Sequence, residues 1–423
     1  MNTTSILRNI AALAALLLTG SVAAQDLVIT NGRVLDGTGR VVERGTVVVR
    51  DGKIVSVGQG AAPSSAGRTI DAGGKTVMPG FIDAHRHLIQ GDGASWLADR
   101  AAAQMQELLD AGFTTVLSAI DPPQILEARK QIAGGAMRGP RLFAGTILPV
   151  AAPAPGGGGG GGGPRVDPAR TDAARAPFTG PAAAAIPREA TIQMVERAAQ
   201  AGFDYLKVVL NTTPNGPEVD TLKLIVAEGK KRGLPTIVHA VSVRDTLATV
   251  DAAPATLVHT PHIGHLGDDP AAVKKIVAAG IPMTSTLAVF VPHFDDEGVP
   301  LFRDAQPFPW NTLSSAGQGP VNARLLWEGG IVYAYGTDTQ WPPKESLADE
   351  LRALNVVFSP KDIVTIITKN AGVATLHGDE IGTLEPGKLA DIVIIDGDPL
   401  RDSGALLSVV TTIKDGRVVF EKR

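Results

Sequence analysis

The sequence predicts an α/β protein: a (β/α)8 TIM barrel, residues 81–379, joined to a small β-sandwich domain formed from both termini, residues 25–80 and 380–423. Two observations predict this fold class. Strand-length apolar runs alternate with helix-length amphipathic stretches through the middle of the chain, which indicates a parallel sheet covered by helices. Both ends are instead rich in short β segments. The 423 residues suffice for one barrel, which takes about 250 residues, and one small partner domain.

Residues 1–24 are typical of a signal peptide. Arg8 supplies a positive charge, Ile10–Leu18 is a short apolar core, and Val22–Ala24 offers the small residues of a cleavage site. A membrane span needs about 20 apolar residues, so this core is too short to form one. We therefore expect a periplasmic or secreted protein with no membrane attachment after cleavage; an uncleaved anchor is the alternative.

The two ends of the chain alternate β-rich runs with turn signals. Val, Ile and Thr dominate the runs, as is usual in strands. Glycine preceded by Asn or Asp is the strongest short hairpin signal, and on this ground we predict turns at Asn31-Gly32, Asp51-Gly52 and Asp415-Gly416. We expect the two ends to pair into one β-sandwich.

The middle of the chain contains eight candidate barrel strands: Phe81–His87, Thr114–Ile120, Arg141–Gly145, Tyr205–Leu210, Thr236–His239, Thr256–Thr260, Pro282–Leu287 and Val332–Gly336. Continuous apolar strands of this kind suit a sheet that helices cover. Eight strand–helix units favour a closed barrel over an open sheet. Helices fit between the strands, for example at Ala94–Ala111, Glu189–Ala201 and Leu222–Arg232.

The segment 151–187 departs from this pattern. It contains eight consecutive glycines, Gly156–Gly163, within Ala- and Pro-rich sequence. Such a composition buries too little apolar surface to order itself. Because the segment follows the third strand, we expect a long loop on the C-terminal rim of the barrel, either a flexible insertion or a mobile lid over the active site.

The composition limits the chemistry that the protein can use. There are no cysteines, which excludes disulfides, thiolate metal sites and cysteine nucleophiles. The formal net charge of −4 gives no reason to expect a nucleic-acid partner. We expect a small-molecule substrate, and the sequence leaves open whether the protein is a homo-oligomer.

His85 and His87 are the most informative pair in the sequence. They end the first predicted barrel strand, and residues i and i+2 of a strand share a face, so both side chains would point to the same spot. Active sites of these barrels lie at the C-terminal ends of the strands. Imidazoles gathered in this way are typical metal ligands, although a single His-x-His pair is a weak signal because surface pairs are common.

Three further residues follow predicted strands at the same rim. His239 ends the fifth strand, His259 falls at the end of the sixth, and Asp338 follows the eighth. Side chains able to bind a metal thus arrive at one end of the barrel from several separate strands, which coincidence explains poorly.

Lys207 lies inside the largely apolar fourth strand. A buried ammonium group is strongly penalised, so its pKa should fall unless the group is paired. A neutral amine can react with carbon dioxide to form a carbamate, an anion that bridges two cations. The alternative is a lysine paired with an acid such as Asp204 or Glu218.

This ordered set resembles the metal ligands of the amidohydrolase superfamily, which come from strands one, four, five, six and eight: His85, His87, Lys207, His239, His259 and Asp338. The segment Gly80–Asp83 resembles the family's lead-in to the first pair, and Gly382–Asp391 resembles its return into the small β-domain. The similarity covers nearly all of the mature chain except the glycine-rich insertion. It is closest to the imidazolonepropionase-like and Xaa-Pro dipeptidase-like branch.

The resemblance implies two divalent metal ions, with zinc suited to the N and O donors. It assigns His85, His87 and Asp338 to one ion, His239 and His259 to the other, and an N6-carboxylated Lys207 to a bridge between them. It further implies that a metal-bridging hydroxide attacks a carbonyl while Asp338 acts as general base and then general acid. Single-metal members of the family lack the bridging lysine, so the presence of Lys207 favours two ions.

Three histidines near the rim are candidates for substrate binding. His262 and His265 follow the sixth strand and His293 follows the seventh; His262 is also a candidate catalytic group that stabilises the oxyanion. A solvated loop histidine is the alternative for each. A group of aromatic residues lies in the same region. They could line an apolar pocket or simply pack against the barrel, and the sequence favours neither over the other: Phe290, Phe294, Phe302, Phe308 and Trp310.

The sequence favours an enzyme that hydrolyses the C–N bond of a dipeptide, an N-acyl amino acid or a similar small amide. A hydrolase or deaminase acting on a cyclic amide, lactone or nitrogen heterocycle is the alternative. A non-catalytic metal-binding barrel is a third possibility, and it is the least favoured because all six ligand positions are filled.

Overall fold

The computed structural model describes residues 26–60, 67–152, 183–213, 215–290 and 313–422. Their strands form two separate eight-stranded arrays. One is a parallel sheet that forms the wall of a barrel, and the other is a mixed sheet built from both ends of the described chain. The predicted fold class, a (β/α)8 TIM barrel with a smaller β unit from the termini, is confirmed.

The terminal sheet takes five strands from one end of the chain and three from the other: β1 (Leu27–Leu35), β2 (Val41–Arg50), β3 (Lys53–Gly58), β4 (Arg68–Asp71), β5 (Thr76–Pro79), β14 (Ile392–Ile395), β15 (Val409–Lys414) and β16 (Arg417–Glu421). Their order is β16-β15-β14-β5-β1-β2-β3, with β4 also beside β1. Ile29 of β1, Val49 of β2 and Ile394 of β14 belong to one buried cluster, although β14 comes from the other end of the chain. The sheet therefore curves around a single apolar core.

Two of the three predicted hairpin dipeptides make turns. Asp51 and Asp415, each in the left-handed conformation, connect β2 to β3 and β15 to β16. The prediction for Asn31-Gly32 was wrong, because these residues lie within β1 at an irregularity of its pairing with β2. Asn31 has a φ of 58° there. The same left-handed preference serves a bulge as well as a turn, and the sequence alone does not separate the two.

The barrel wall consists of eight parallel strands that are hydrogen-bonded in chain order: β6 (Phe81–Arg86), β7 (Phe113–Ser118), β8 (Arg141–Ile147), β9 (Tyr205–Val209), β10 (Thr236–His239), β11 (Thr256–Val258), β12 (Met283–Thr284) and β13 (Tyr333–Ala334). Backbone hydrogen bonds join the first and last strands. The Ala84 N–H donates to the Tyr335 carbonyl at 3.0 Å, and the His85 carbonyl accepts from Asp338 N–H at 2.8 Å. These bonds bring the ends of β6 and β13 together at the rim.

The last barrel strands are shorter than their apolar runs predict. The seventh was expected over Pro282–Leu287 and the eighth over Val332–Gly336, but only two residues of each form regular strand. Thr286 and Asp338 have φ values of 46° and 52°, in the left-handed region outside regular strand geometry. Both departures occur at the rim, where a change of backbone direction aims side chains at the barrel mouth.

Helices surround the barrel: α1 (Gly93–Asp99), α2 (Ala101–Asp110), α3 (Gln124–Ala133), α4 (Arg188–Ala201), α5 (Glu218–Lys231), α6 (Val243–Val250), α7 (Pro270–Ala278), α8 (Leu313–Gly329), α9 (Pro343–Leu354), α10 (Pro360–Thr365) and α11 (Ala371–Ala374). Side chains cap several of them, as Asp92 does for α1 and Ser242 for α6. The single helix predicted over Ala94–Ala111 is two helices, because Arg100 leaves the helical conformation with a φ of −126°.

Arg141 links the bottom of the barrel to the terminal sheet. Its guanidinium donates to the Asp391 carboxylate at 2.6 Å, to the Asp415 carboxylate at 2.5 Å and to the Thr115 hydroxyl at 3.0 Å. Asp391 is almost completely buried, and Arg141 is the cation that pairs with it there. The charges of the two aspartates keep the guanidinium ionised despite its burial.

Replacing Arg141 with alanine is expected to destabilise the protein. The change leaves the buried Asp391 carboxylate without its cation, and breaking a buried pair in this way costs about 3 kcal/mol. The free energy of unfolding, measured by urea denaturation, should fall by that amount. Arg138→Ala is the control, because Arg138 is exposed; equal stability of the two variants would contradict the prediction.

Several predictions concern parts of the chain that lie outside the described residues. These are the signal peptide, most of the glycine-rich insertion, and the rim residues His293, Phe294, Phe302, Phe308 and Trp310. They remain predictions. In the part of the chain that is described, no helix combines the length and apolarity needed to cross a bilayer.

Candidate active site

Residues from five barrel strands meet at the C-terminal mouth of the barrel. They are the six predicted from the sequence: His85, His87, Lys207, His239, His259 and Asp338. Strand alternation explains the direction of the side chains. In β9, Leu206 and Val208 pack outward in a cluster with residues of α4 and α5, which leaves Lys207 facing the interior. In the neighbouring β10, Ile237 faces the interior and His239, two residues later, follows it.

His85, His87 and Asp338 form the tightest group. The Asp338 Oδ1 atom lies 2.7 Å from His87 Nε2 and 3.1 Å from His85 Nε2. One ligand atom from each residue lies within 4.8 Å of the others, which suits a shared metal ion. Asp338 reaches this position because its own N–H is hydrogen-bonded to the His85 carbonyl at the junction of the first and last strands.

His239 and His259 form a second group beside the first. Their ring centroids are 4.3 Å apart, and the ring of His259 lies 5.2 Å from that of His85. His259 Nε2 is 3.8 Å from Asp338 Oδ2, so Asp338 lies between the two groups. The other ring nitrogen of His259 is 2.7 Å from the Thr286 hydroxyl.

Lys207 is not engaged by either acid that the sequence offered as an alternative partner. Asp204 pairs with Arg129, and Glu218 accepts a hydrogen bond from Thr213 at 2.6 Å. The Lys207 amine faces the imidazoles instead, with Nζ 3.2 Å from His85 Nε2. It is 1% exposed. A structural ion pair therefore does not account for this buried amine.

Burial lowers the pKa of four basic side chains of the site, whereas His87, although buried, has its pKa raised by its hydrogen bond to Asp338. Removal from water lowers the pKa of Lys207 to about 7, so the neutral amine is accessible near physiological pH. Burial, followed by the nearby Lys207 charge, lowers the pKa of His85 and that of His239 to about 3. Burial also lowers the pKa of His259 well below its usual value. Neutral imidazoles are the form that binds metal ions.

The arrangement leaves lone pairs that a cation would satisfy. His85 Nε2 lies between Asp338 Oδ1 and Lys207 Nζ, and it cannot donate to the first and accept from the second at once. His259 Nε2 is buried and has no hydrogen-bond partner among the described residues. A buried nitrogen without a partner, and acceptor atoms crowded together, raise the free energy of the folded protein. Metal coordination removes this cost. The N and O donors present fit divalent metal ions such as zinc.

The other predicted histidines differ from one another. His262 is 3% exposed, and neither of its ring nitrogens has a partner within the part of the chain described. Its ring packs against Phe290 at 3.9 Å, and burial, then the charge of His239, lowers its pKa to about 3. His265 is exposed at the N-cap of a short 3-10 helix, Leu266–Asp268, where its side chain makes no capping hydrogen bond, and none of the contacts that join the cluster involves it.

Sequence reasoning missed three buried polar residues around the site. Asp121 follows the second strand and accepts the Ile89 N–H at 2.9 Å. Thr286 contacts His259, and Glu350 holds the backbone beside Thr286. Of these, Glu350 had a readable signal. It occupies the buried stripe of α9, at helical spacing from leucines that face the barrel, where a charge is unexpected.

Comparison with known proteins identifies the family. A model of the Amidohydrolase family matches residues 76–419, which is most of the chain. This protein belongs to the amidohydrolase family. Members are generally metal-dependent, and the His85–His87–Asp338 group of this amidohydrolase is a candidate metal site of the expected composition.

The sequence relatives of this amidohydrolase include imidazolonepropionases, which supports the imidazolonepropionase-like part of the predicted branch. It is 27% identical to 5-methylthioadenosine/S-adenosylhomocysteine deaminase of Symbiobacterium thermophilum, with 93% of each chain covered. It is 24% identical to imidazolonepropionase of Caldanaerobacter subterraneus subsp. tengcongensis, with 85% of each covered. The solved structure of a Xaa-Pro dipeptidase with bound methionine has a TM-score of 0.71 at 20% identity, covering 93% of this chain and 99% of the other. That last similarity shows the shared fold.

These matches establish the general activity. This amidohydrolase is an enzyme of the metal-dependent hydrolase class that acts on carbon–nitrogen bonds, and its substrates are small molecules. The matched names include a deaminase, an imidazolonepropionase and a Xaa-Pro dipeptidase, so the family alone does not select a substrate.

Proposed function

We propose that this exported amidohydrolase uses two divalent metal ions, zinc in the first instance, to hydrolyse the amide bond of a dipeptide, an N-acyl amino acid or a similar small amide. His85, His87 and Asp338 would hold one ion, and His239 and His259 the other. Lys207, carboxylated on Nζ, would bridge them.

The observation that carries this proposal is the position of Lys207. Its amine is buried among neutral imidazoles and Asp338, and the nearby acids Asp204 and Glu218 are engaged elsewhere. An uncharged amine with a pKa of about 7 reacts with carbon dioxide, losing a proton and gaining a carboxylate. Burying a lysine here as a charged ammonium is energetically unfavourable, whereas a carbamate can bridge two cations. A site that holds one cation requires no such bridge.

The side chains of the site have separate roles in the proposed reaction. When bound, the metal ions supply hydroxide near neutral pH and polarise the scissile carbonyl. Asp338, between the two histidine groups, accepts the proton released on attack and returns it to the leaving nitrogen. No protein nucleophile is required, which agrees with the absence of cysteine.

We further propose that His262 recognises the substrate. It is buried and has no hydrogen-bond partner among the described residues. It is also neutral, because burial and then the proximity of His239 lower its pKa. A neutral imidazole offers one N–H donor. We assign that donor to the substrate carbonyl oxygen as it becomes an oxyanion. His265, being exposed, keeps at most a role in binding at the outer rim, and the same role remains a proposal for His293.

Hydrolysis or deamination of a cyclic amide, a lactone or a nitrogen heterocycle is the second candidate. The names of the curated relatives favour it, since they include imidazolonepropionase and a nucleoside deaminase. The two candidates differ in the product: cleavage of a linear amide yields a free carboxylate and an amine as separate molecules, whereas a ring opens into one product or releases ammonia.

Removing and restoring the metal ions tests the proposal. Dialysis against a chelator should abolish hydrolysis, and addition of zinc with bicarbonate should restore it, because both the ions and the carbamate must be in place. The assay is a panel of Xaa-Pro dipeptides, N-acyl amino acids, lactones and heterocycles, paired with elemental analysis. A chelated protein that keeps full activity would contradict metal dependence, and turnover of heterocycles alone would favour the second candidate.

A further inference from the structure

A buried carboxylate that takes no part in the proposed reaction lies behind the seventh strand. Glu350 of α9 is completely buried, and its interaction partners among the described residues include the Ser285 side chain but no Lys or Arg. Its two oxygens accept the backbone N–H groups of Leu287 at 2.9 Å and Ala288 at 2.8 Å. Burying an acid without a cation is unfavourable unless such donors satisfy it. The carboxylate thus fixes the backbone immediately after the seventh strand.

The fixed backbone includes Thr286, whose conformation is strained. Its φ of 46° is a region that a β-branched residue rarely adopts, and it persists only where neighbouring contacts hold it. The Thr286 N–H donates to the Gly336 carbonyl at 3.0 Å, two residues before Asp338. Glu350 holds the two residues that follow. Thr286 is therefore held from the eighth strand on one side and from α9 on the other.

The strained backbone places the Thr286 hydroxyl on the side of His259 away from the cluster. Thr286 Oγ1 lies 2.7 Å from His259 Nδ1, while His259 Nε2 faces Asp338 Oδ2 at 3.8 Å and has no hydrogen-bond partner in the described chain. If Nε2 is the metal-binding atom, Nδ1 must carry the ring proton and Thr286 must accept it. A hydroxyl in this position fixes both the tautomer and the ring orientation.

We infer that Glu350 and Thr286 are positioning residues for His259: the carboxylate of Glu350 holds the strained turn, and the turn holds the hydroxyl that selects the metal-binding tautomer of His259. The inference rests on the proposed role of His259 as a ligand of the second metal ion. It assigns a use to a buried acid that neither the reaction nor the packing of α9 requires.

Zinc affinity of the second site is the quantity that tests this inference. Zinc is titrated into the chelated full-length protein in competition with a chromophoric chelator, for the wild type and for Thr286→Val, Thr286→Ser and Glu350→Gln. Loss of an outer-shell partner costs about 10–100-fold in metal affinity, so Thr286→Val should weaken the second site by that factor. Thr286→Ser keeps the hydroxyl and should bind nearly as the wild type does.

Glu350→Gln should weaken zinc binding in the same way, because an amide cannot accept from both backbone N–H groups. The double variant Thr286→Val/Glu350→Gln should bind zinc no more weakly than the single variant with the lower affinity, since both changes act through one hydroxyl. Glu345→Gln on the exposed side of α9 is the matched control and should leave the affinity unchanged. Urea unfolding of the metal-free variants separates loss of stability from loss of affinity.

Two results would overturn the inference: a Thr286→Val variant that binds both zinc ions as the wild type does, or additive losses in the double variant. If Glu350→Gln fails to fold, the comparison of Thr286→Val with Thr286→Ser still tests the inference, because the hydroxyl is the only polar group in which these two variants differ. A wild type that binds fewer than two zinc ions refutes the two-metal proposal itself, and this result is distinct from a wild type that binds two with Thr286→Val unaffected.

Discussion

Replacing Lys207 with alanine is expected to cost the enzyme nearly all of its activity and one of the two metal ions that we propose. The change removes the group that we propose to bridge the ions from the centre of the buried cluster. Loss of even an outer-shell partner costs about 10–100-fold in metal affinity or activity, so kcat/KM should fall by about 100-fold or more. Steady-state kinetics and elemental analysis of the purified variant measure both effects.

Two further measurements on Lys207 separate the carbamate from a plain amine. Acetate should partly restore the activity of Lys207→Ala, because a small carboxylate can occupy the space left by the side chain. For the wild type, reactivation of chelated enzyme by bicarbonate should be more complete above pH 7 than below it, since burial lowers the pKa of Lys207 to about 7 and only the neutral amine reacts. Lys223→Ala, at an exposed position on α5, is the control. A fully active Lys207→Ala variant would contradict the bridge.

Asp338→Asn is expected to stop catalysis while the metal ions remain bound. Asparagine keeps an oxygen that can coordinate a metal ion, but it cannot accept the proton released on attack. General acid–base groups contribute about 100- to 10,000-fold, so kcat should fall by that factor with little change in KM. Kinetics on the substrate found in the panel, with the metal content of each preparation, give the comparison.

The control for this variant is Asp379→Asn, which makes the same chemical change at an exposed position far along the chain. It should behave as the wild type does. Undiminished kcat in metal-replete Asp338→Asn would assign the proton transfer to another group. Loss of the metal ions from the variant would show that the charge of Asp338, rather than its basicity, is what the site requires.

The convergence of the site was predictable because the barrel topology decides it. Parallel strands deliver their C-terminal residues to one rim, so residues as distant in the chain as His85 and Asp338 need only lie at strand ends to meet. The shared direction of His85 and His87 followed from period-two alternation along a strand, and Lys207 stood out as a charged residue inside an apolar strand. These features could be predicted because they depend only on the local sequence pattern and on the topology of the barrel.

The details that the sequence did not predict arise where backbone or side chains depart from regular structure. Asn31-Gly32 forms a bulge and not a turn, and Arg100 divides one predicted helix into two. Thr286 interrupts the seventh strand because contacts from Glu350 and from the eighth strand hold its unusual conformation. Each outcome depends on tertiary contacts that local propensity does not contain.

Diffraction at the zinc absorption edge, on crystals of the wild-type enzyme grown with zinc and bicarbonate, tests the central claim most directly. We predict two anomalous peaks: one among His85, His87 and Asp338, the other beside His239 and His259, with a carboxylated Lys207 between them. A single peak, or two peaks with an unmodified Lys207 amine, would contradict the account.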